Sequence, residues 1–121
     1  MENNQSLGRR GEDLAVEFLV EEGYEILERN WHFRHNEVDI IARHRDQLVI
    51  VEVKTRSGNS YGEPCTAVDF RKQRYLIFAA ERYIFGNNLD VDVRFDIISI
   101  IIDQGRTVLE HIKEAFHPVA R

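Results

Sequence analysis

A single cysteine, Cys65, stands among the 121 residues, so no internal disulfide is possible. The expected home of such a chain is the cytoplasm, where thiols stay reduced, and Cys65 reads as a plain loop or core thiol. No apolar run approaches the roughly 20 residues of a membrane span. Residues 1–5 lack the basic and apolar regions of a secretion signal, so no membrane partner is expected. Linkers, internal repeats and low-complexity tracts are also missing, which leaves one domain over residues 1–121. The last thing lacking is a basic excess: Lys and Arg number 16 against 21 Asp and Glu, a formal net charge of −5. That balance counts against a nucleic-acid partner. Two features offset it. Carboxylates that ligate divalent ions are neutralised by them, and the basic residues cluster at Arg9-Arg10, Arg43-His44-Arg45, Lys54 with Arg56, and Arg71-Lys72 with Arg74.

Apolar periodicity is what the chain has instead. Leu7, Gly11, Leu14, Ala15, Phe18 and Leu19 recur at helical spacing and predict an amphipathic helix over residues 6–22. Ser6 is its expected N-cap, and Gly23 its left-handed C-terminal residue. Residues 24–33, 37–43 and 48–55 read as strands joined by short polar turns, an antiparallel meander. Residues 56–65, with two glycines, Asn59 and Pro64, read as a loop. Val68, Lys72, Tyr75, Leu76, Ala79, Ala80 and Tyr83 mark one face of a second helix that stops near Gly86. Residues 91–102 alternate and then become wholly apolar, as a strand buried on both faces would. Residues 107–112 predict a last short strand. The expected fold class is α/β in the order α-β-β-β-α-β-β, a mixed sheet flanked by helices.

Charge inside two of these strands carries the functional signal. Asp39 lies within Val38-Asp39-Ile40-Ile41, and Glu52 and Lys54 lie within the apolar run 48–54. An ionised group taken from water costs several kcal/mol unless it is paired or metal-bound. Alternation puts Ile50, Glu52 and Lys54 on one face of their strand, and Glu37, Asp39 and Ile41 on one face of theirs. If the hairpin sets Asp39 beside Glu52, two carboxylates and an ammonium converge. Mg²⁺ or Mn²⁺ suits such hard oxygen ligands, with the Val53 carbonyl as a further one. A metal there would activate water for phosphodiester hydrolysis, with Lys54 orienting that water or stabilising the transition state. Glu-x-Lys alone would be read as an exposed ion pair of little worth. Asp39 at this spacing, with apolar flanks on both strands, favours the metal reading.

These residues resemble the core of the PD-(D/E)XK nuclease superfamily, with Asp39 as its Asp and Glu52-Val53-Lys54 as its (D/E)XK. More closely, the chain is similar to the YraN-like uncharacterised bacterial family, itself similar to archaeal Holliday junction resolvases. The set carrying this likeness is Gly8-Arg9-Arg10-Gly11-Glu12, Ala15, Leu19, Gly23-Tyr24, Arg29-Asn30, Glu37 to Ile41, Val51 to Arg56, Lys72 and Arg94-Phe95-Asp96. Val38 stands where the superfamily's name expects Pro, and Asn36 where a Gly is usual. The resemblance implies a restriction-endonuclease-like fold and metal-dependent cleavage of branched or junction DNA. It also implies a role for Glu12 as an added ligand or water-orienting group, and tips Lys72 towards the site and a phosphate. Arg9, Arg10, Arg56 and Lys72 are the expected nucleic-acid contacts; resolvases act as dimers, so an apolar helix or strand face left exposed would imply a homodimer. The alternatives are a nuclease fold that binds nucleic acid without cutting it, and an interaction protein on the same fold. Arg94 and Asp96 read as a strand-surface ion pair, and Trp31 and Phe33 as core in preference to base-stacking platforms. His32 and His35 lack partners at zinc-ligand spacing.

Overall fold

The two periodicities are realised as five strands and two helices in a computed structural model that describes residues 3–58 and 66–118. The order is α1 (Asn4–Glu21), β1 (Glu25–Phe33), β2 (Asn36–His44), β3 (Gln47–Ser57), α2 (Phe70–Gly86), β4 (Asp92–Asp103) and β5 (Arg106–Phe116). Cys65 and most of the expected loop over residues 56–65 lie outside the described residues. The element order is the expected one. The N-cap of α1 is Asn3 and not Ser6, because the Asn3 side chain accepts the Ser6 N–H at 2.8 Å. Gly23 does take the left-handed conformation, φ +90°. The largest difference in extent is β5, which continues to Phe116 through its antiparallel ladder with β4.

The sheet order is β1-β2-β3-β4-β5. The β1–β2, β2–β3 and β4–β5 pairs are antiparallel, while β3 and β4 run parallel and are joined through α2. A parallel neighbour requires such a crossover. β3 and β4 form the middle of the sheet, which is why their sequences are apolar on both faces. Two cores result. Ala15 and Leu19 of α1 cover Ile40, Ala42, Val49, Val51, Ile98 and Ile100 on one face. Leu76, Ala79, Ala80 and Tyr83 of α2 cover Ile41, Leu48, Ile50, Phe95 and Ile97 on the other. Each fully buried Leu or Ile among them contributes about 1.5–3 kcal/mol relative to exposure. Trp31 and Phe33 pack at the margin of the second core, Trp31 edge-on to Tyr83.

One glycine sets how closely α1 approaches β3. A Cβ at Gly11 would run into the side chain of Thr55, whereas one at Gly8 would meet nothing. Gly11→Ala is therefore expected to cost about 1–3 kcal/mol through overpacking, read as a lower urea midpoint. Thr55→Ala in the same chain should restore most of it. Gly8→Ala, by helix propensity, should be neutral or stabilising by up to about 1 kcal/mol. A Gly11→Ala protein as stable as its parent would show that α1 does not need this contact.

Candidate active site

The site forms where the sheet opens. The β2–β3 ladder runs from His44↔Gln47 to Ile40↔Val51 and ends there. The next β3 donor, the Val53 N–H, is taken by the Asp39 carboxylate at 2.8 Å instead of by a backbone carbonyl. A slip in alternation causes this. Val38 packs in the same core as Ile41, three residues on, while the intervening Ile40 packs in the opposite core. Strict alternation forbids that arrangement. On β1 the residue between the pairs Arg29↔Ile40 and Trp31↔Val38 is Asn30, held at φ +50°. Asn is one of the few residues that tolerates this conformation. The expected alternation, with Glu37, Asp39 and Ile41 on one face, is therefore corrected, while Asp39 still lies near enough to Glu52 for that charge to act on it. Asp39 opens into a cleft bordered by α1, and Glu52 stays on its own strand in register with Ile97 of β4.

That cleft has a volume of about 650 Å³ and is lined by Arg9, Glu12, Asn30, Asp39, Val53, Lys54 and Arg56, among others. Burial is the main force on Asp39, and with the negative charge of Glu52 it pushes this carboxyl up to about 7. The Val53 N–H pulls the other way, Glu12 adds a smaller push and Lys72 a smaller pull. Glu52 is not part of the cleft lining and is only 7% exposed. Its nearest cations are Lys54 Nζ at 3.6 Å and Lys72 Nζ, from α2, at 3.9 Å. Both are too long for hydrogen bonds, and Glu52 Oε1 is buried without a hydrogen-bond partner among the described residues. A carboxylate oxygen in that condition is costly unless something else binds it. The pair is thus no exposed surface ion pair.

Glu12 is held in place by β1. Its Oε2 accepts from Asn30 Nδ2 at 2.9 Å, and its Oε1 lies 3.3 Å from Arg29 Nη2. Arg29 in turn donates to Asp13 at 2.6 Å. Arg29 and Asn30 carried no expected role, and they are what fixes this acid at the cleft. The one signal for them was their place, side by side, in the set that carried the family likeness. Of the expected basic contacts, Arg9 and Arg56 line the cleft, Lys72 faces Glu52, and Arg10 is exposed on α1 outside the lining. Glu12, Asp39, Val53 and Lys54 are therefore brought together, with Glu52 behind them. His32 lies 3.1 Å from Glu37 at an exposed position. Among the described residues no three His, Cys, Asp or Glu side chains converge enough to hold a metal ion between them.

Arg94 and Asp96 are not at the surface, which corrects the expected strand-surface pair. Asp96 is 1% exposed and accepts from Arg94 Nε at 2.9 Å and Nη2 at 2.8 Å, and from the Glu114 N–H at 3.1 Å. His111 Nε2 lies 2.7 Å from the same carboxylate. Arg94 also donates to Tyr24 Oη at 2.6 Å and Gln47 Oε1 at 3.2 Å. Burial alone would raise the Asp96 carboxyl, but the bonds from His111, Arg94 and Glu114 bring it below the ordinary carboxylate range. Alternation on β4 could not distinguish a buried face from an exposed one, since both faces of this strand are covered. The cluster ties β4 and β5 to the start of β1 and of β3, at the end of the sheet away from the cleft.

The model of an uncharacterised protein family, UPF0102, matches residues 11–100, a span that includes Glu12, Asp39, Glu52, Lys54 and Lys72. A UPF0102 protein of Flavobacterium psychrophilum is 45% identical over 117 residues, covering 97% of this chain and 98% of the relative. One from Bacteroides thetaiotaomicron is 47% identical over 118 residues, covering 98% of each. One from Rhodococcus opacus is 46% identical over 118 residues, covering 96% of this chain and all of the relative. Likeness at this level over whole chains places the present chain in the same family: it belongs to the uncharacterised protein family UPF0102.

Proposed function

We propose that this chain is a divalent-metal-dependent DNA endonuclease acting on branched or junction DNA. The observation that carries the reading is the buried carboxylate pair where the β2–β3 ladder opens: Asp39, with its carboxyl raised to about 7, and Glu52, whose Oε1 has no hydrogen-bond partner among the described residues. Hard anionic oxygens lacking full compensation fit Mg²⁺ or Mn²⁺. Asp39 and Glu52 would hold the metal with the Val53 carbonyl, a set that needs no third side-chain ligand. A metal bound there supplies a water of lowered pKa and a counter-charge for the phosphoryl oxygens. Lys54, close to Glu52 and lining the cleft, places an ammonium beside the reacting phosphate. Glu12, oriented by Asn30 and Arg29, is set to position a water at the cleft wall. Arg9 and Arg56 border the path of the sugar–phosphate backbone. The cleft lies at the end of the β2–β3 ladder, beside α1.

The second reading is a nucleic-acid-binding module without cleavage. It is favoured by the lack, among the described residues, of three His, Cys, Asp or Glu side chains that converge on one point. Mn²⁺ separates the two. A ligand that binds only the folded state stabilises it, by about 2.7 kcal/mol at 100 times its Kd. Millimolar Mn²⁺ at pH 8 is expected to raise the Tm, and Glu52→Gln to abolish the rise. Because Asp39 must give up its proton to bind, the rise should shrink as pH falls below about 7. An unchanged Tm for the parent at saturating Mn²⁺ would overturn the metal site. Cleavage of a panel of junction, flap, single-stranded and linear DNAs in Mn²⁺ then tests the activity.

A further inference from the structure

The solvent face of α2 has no place in this site, and its composition is unusual. Arg71, Arg74, Phe78, Arg82 and Phe85 follow one another at spacings of three or four residues, so they form one stripe along the helix. All five are exposed, Phe78 at 41% and Phe85 at 78%. Arginine already sits over each ring, Arg34 at 5.2 Å from the Phe78 centroid and Arg82 at 5.8 Å from that of Phe85. A groove of about 840 Å³ runs along the first half of the helix, between Phe70, Arg74 and Phe78 on one side and His117 on the other. The helix carries four basic residues and one acidic, a net of three positive charges in a chain whose formal charge is −5.

Large exposed aromatic rings lose water contact only when something covers them. A second copy of this chain, docked by a two-fold axis, would oppose like-charged faces, which is unfavourable. The complementary partner is polyanionic and carries flat apolar groups. We infer that the solvent face of α2 binds an unpaired nucleic-acid strand. Phe78 and Phe85 stack on bases, and Arg71, Arg74 and Arg82 take phosphates. Paired bases hide their faces within the duplex, so the stripe reads unpaired ones. Lys72, on another side of the same helix, reaches Glu52, so the stripe and the proposed site share this helix. The inference rests on the nuclease reading only in naming the substrate, which becomes DNA with a single-stranded arm. Binding itself needs neither metal nor cleavage.

The test is fluorescence anisotropy of the full chain in EDTA with three labelled probes: a 20-nucleotide oligo-dT, a duplex of equal length, and an abasic strand of equal length. Oligo-dT is expected to bind at least tenfold tighter than either of the others. Phe78→Ala with Phe85→Ala should weaken it roughly tenfold or more while leaving the salt slope unchanged. Arg71→Gln with Arg74→Gln should flatten the salt slope. Since both phenylalanines are exposed, circular dichroism should show the variant folded as the parent is. Equal affinity for the abasic strand overturns the inference. So does tight binding of polyglutamate that survives loss of both rings, or a dimer in sedimentation that Phe85→Ala dissociates. The Mn²⁺ shift in Tm is read without nucleic acid and this titration in EDTA, so a failure here and a failure of the metal site are separable.

Discussion

Asp96→Ala is expected to destabilise the protein by about 3–5 kcal/mol, the usual cost of breaking a buried ion pair by removing one partner. Arg94 is only 9% exposed, and it would lose its three bonds to Asp96 while keeping its charge. The Glu114 N–H and the His111 ring would lose their acceptor as well. The urea midpoint at pH 7 measures the effect. A second variant separates the pair's net worth from the penalty of an orphaned charge. Arg94→Met together with Asp96→Leu should recover much of the lost stability, because well-packed apolar residues often replace a buried pair at little cost. The pH dependence has a definite sign. A carboxyl lowered in the folded state stabilises it above the ordinary unfolded value of about 4, and that contribution fades as pH falls towards the folded value. The parent should therefore lose stability on acidification below about pH 4 more steeply than Asp96→Ala does. An Asp96→Ala protein within about 1 kcal/mol of the parent would mean that the cluster is dispensable.

Asp39→Asn works in the opposite direction. The Asp39 carboxyl is raised to about 7 in the fold against an ordinary value of 3.8. The folded state therefore holds this proton more tightly than the unfolded chain does. Stability is greatest below the unfolded value, falls as pH rises between about 4 and 7, and stays low above. Asparagine keeps the shape and an oxygen for the Val53 N–H, and removes the charge. In chelator at pH 8 the variant is expected to gain on the order of 1–3 kcal/mol. Near pH 4 that gain should vanish. Any cleavage in Mn²⁺ should disappear, since the proposed metal ligand has been lost; functional sites commonly trade stability for chemistry in this way. Denaturant midpoints at the two pH values, set beside a cleavage assay, give both answers. If the variant is clearly less stable than its parent at pH 8, Asp39 is a structural acceptor for β3 and nothing more.

Legibility differed from element to element for physical reasons. The helices and strands were readable because burial imposes a period of 3.6 on one and of 2 on the other, and the run from Val91 to Ile102 declared a central strand by being apolar on both faces. The boundaries at Asn3 and Phe116 were less so, since a cap bond and a sheet ladder decide them, and neither leaves a strong mark in composition. The candidate site was legible only as a set of residue types: Asp39, Glu52 and Lys54 stood out because charge is costly inside apolar strands.

Their arrangement was not legible. Alternation is a rule for an unbroken ladder, and this ladder breaks. Which residue absorbs the slip depends on how Val38 and Ile41 find one core while Ile40 finds the other, and on Asn30 accepting a positive φ across the pair. Packing between distant segments settles that, as it settles that Asp96 is enclosed by Tyr24, His111 and Glu114 and not left on a strand surface. By itself, then, the sequence determined the element order, the two apolar faces and the identity of the charged strand residues, because these follow from local spacing and the cost of burial. Only the tertiary structure decided that Asp39 takes the Val53 N–H and opens towards Glu12, while Glu52 lies behind it against Lys54 and Lys72. A side chain's direction at a broken ladder is fixed by the neighbours that close around it, and those neighbours are distant in the chain.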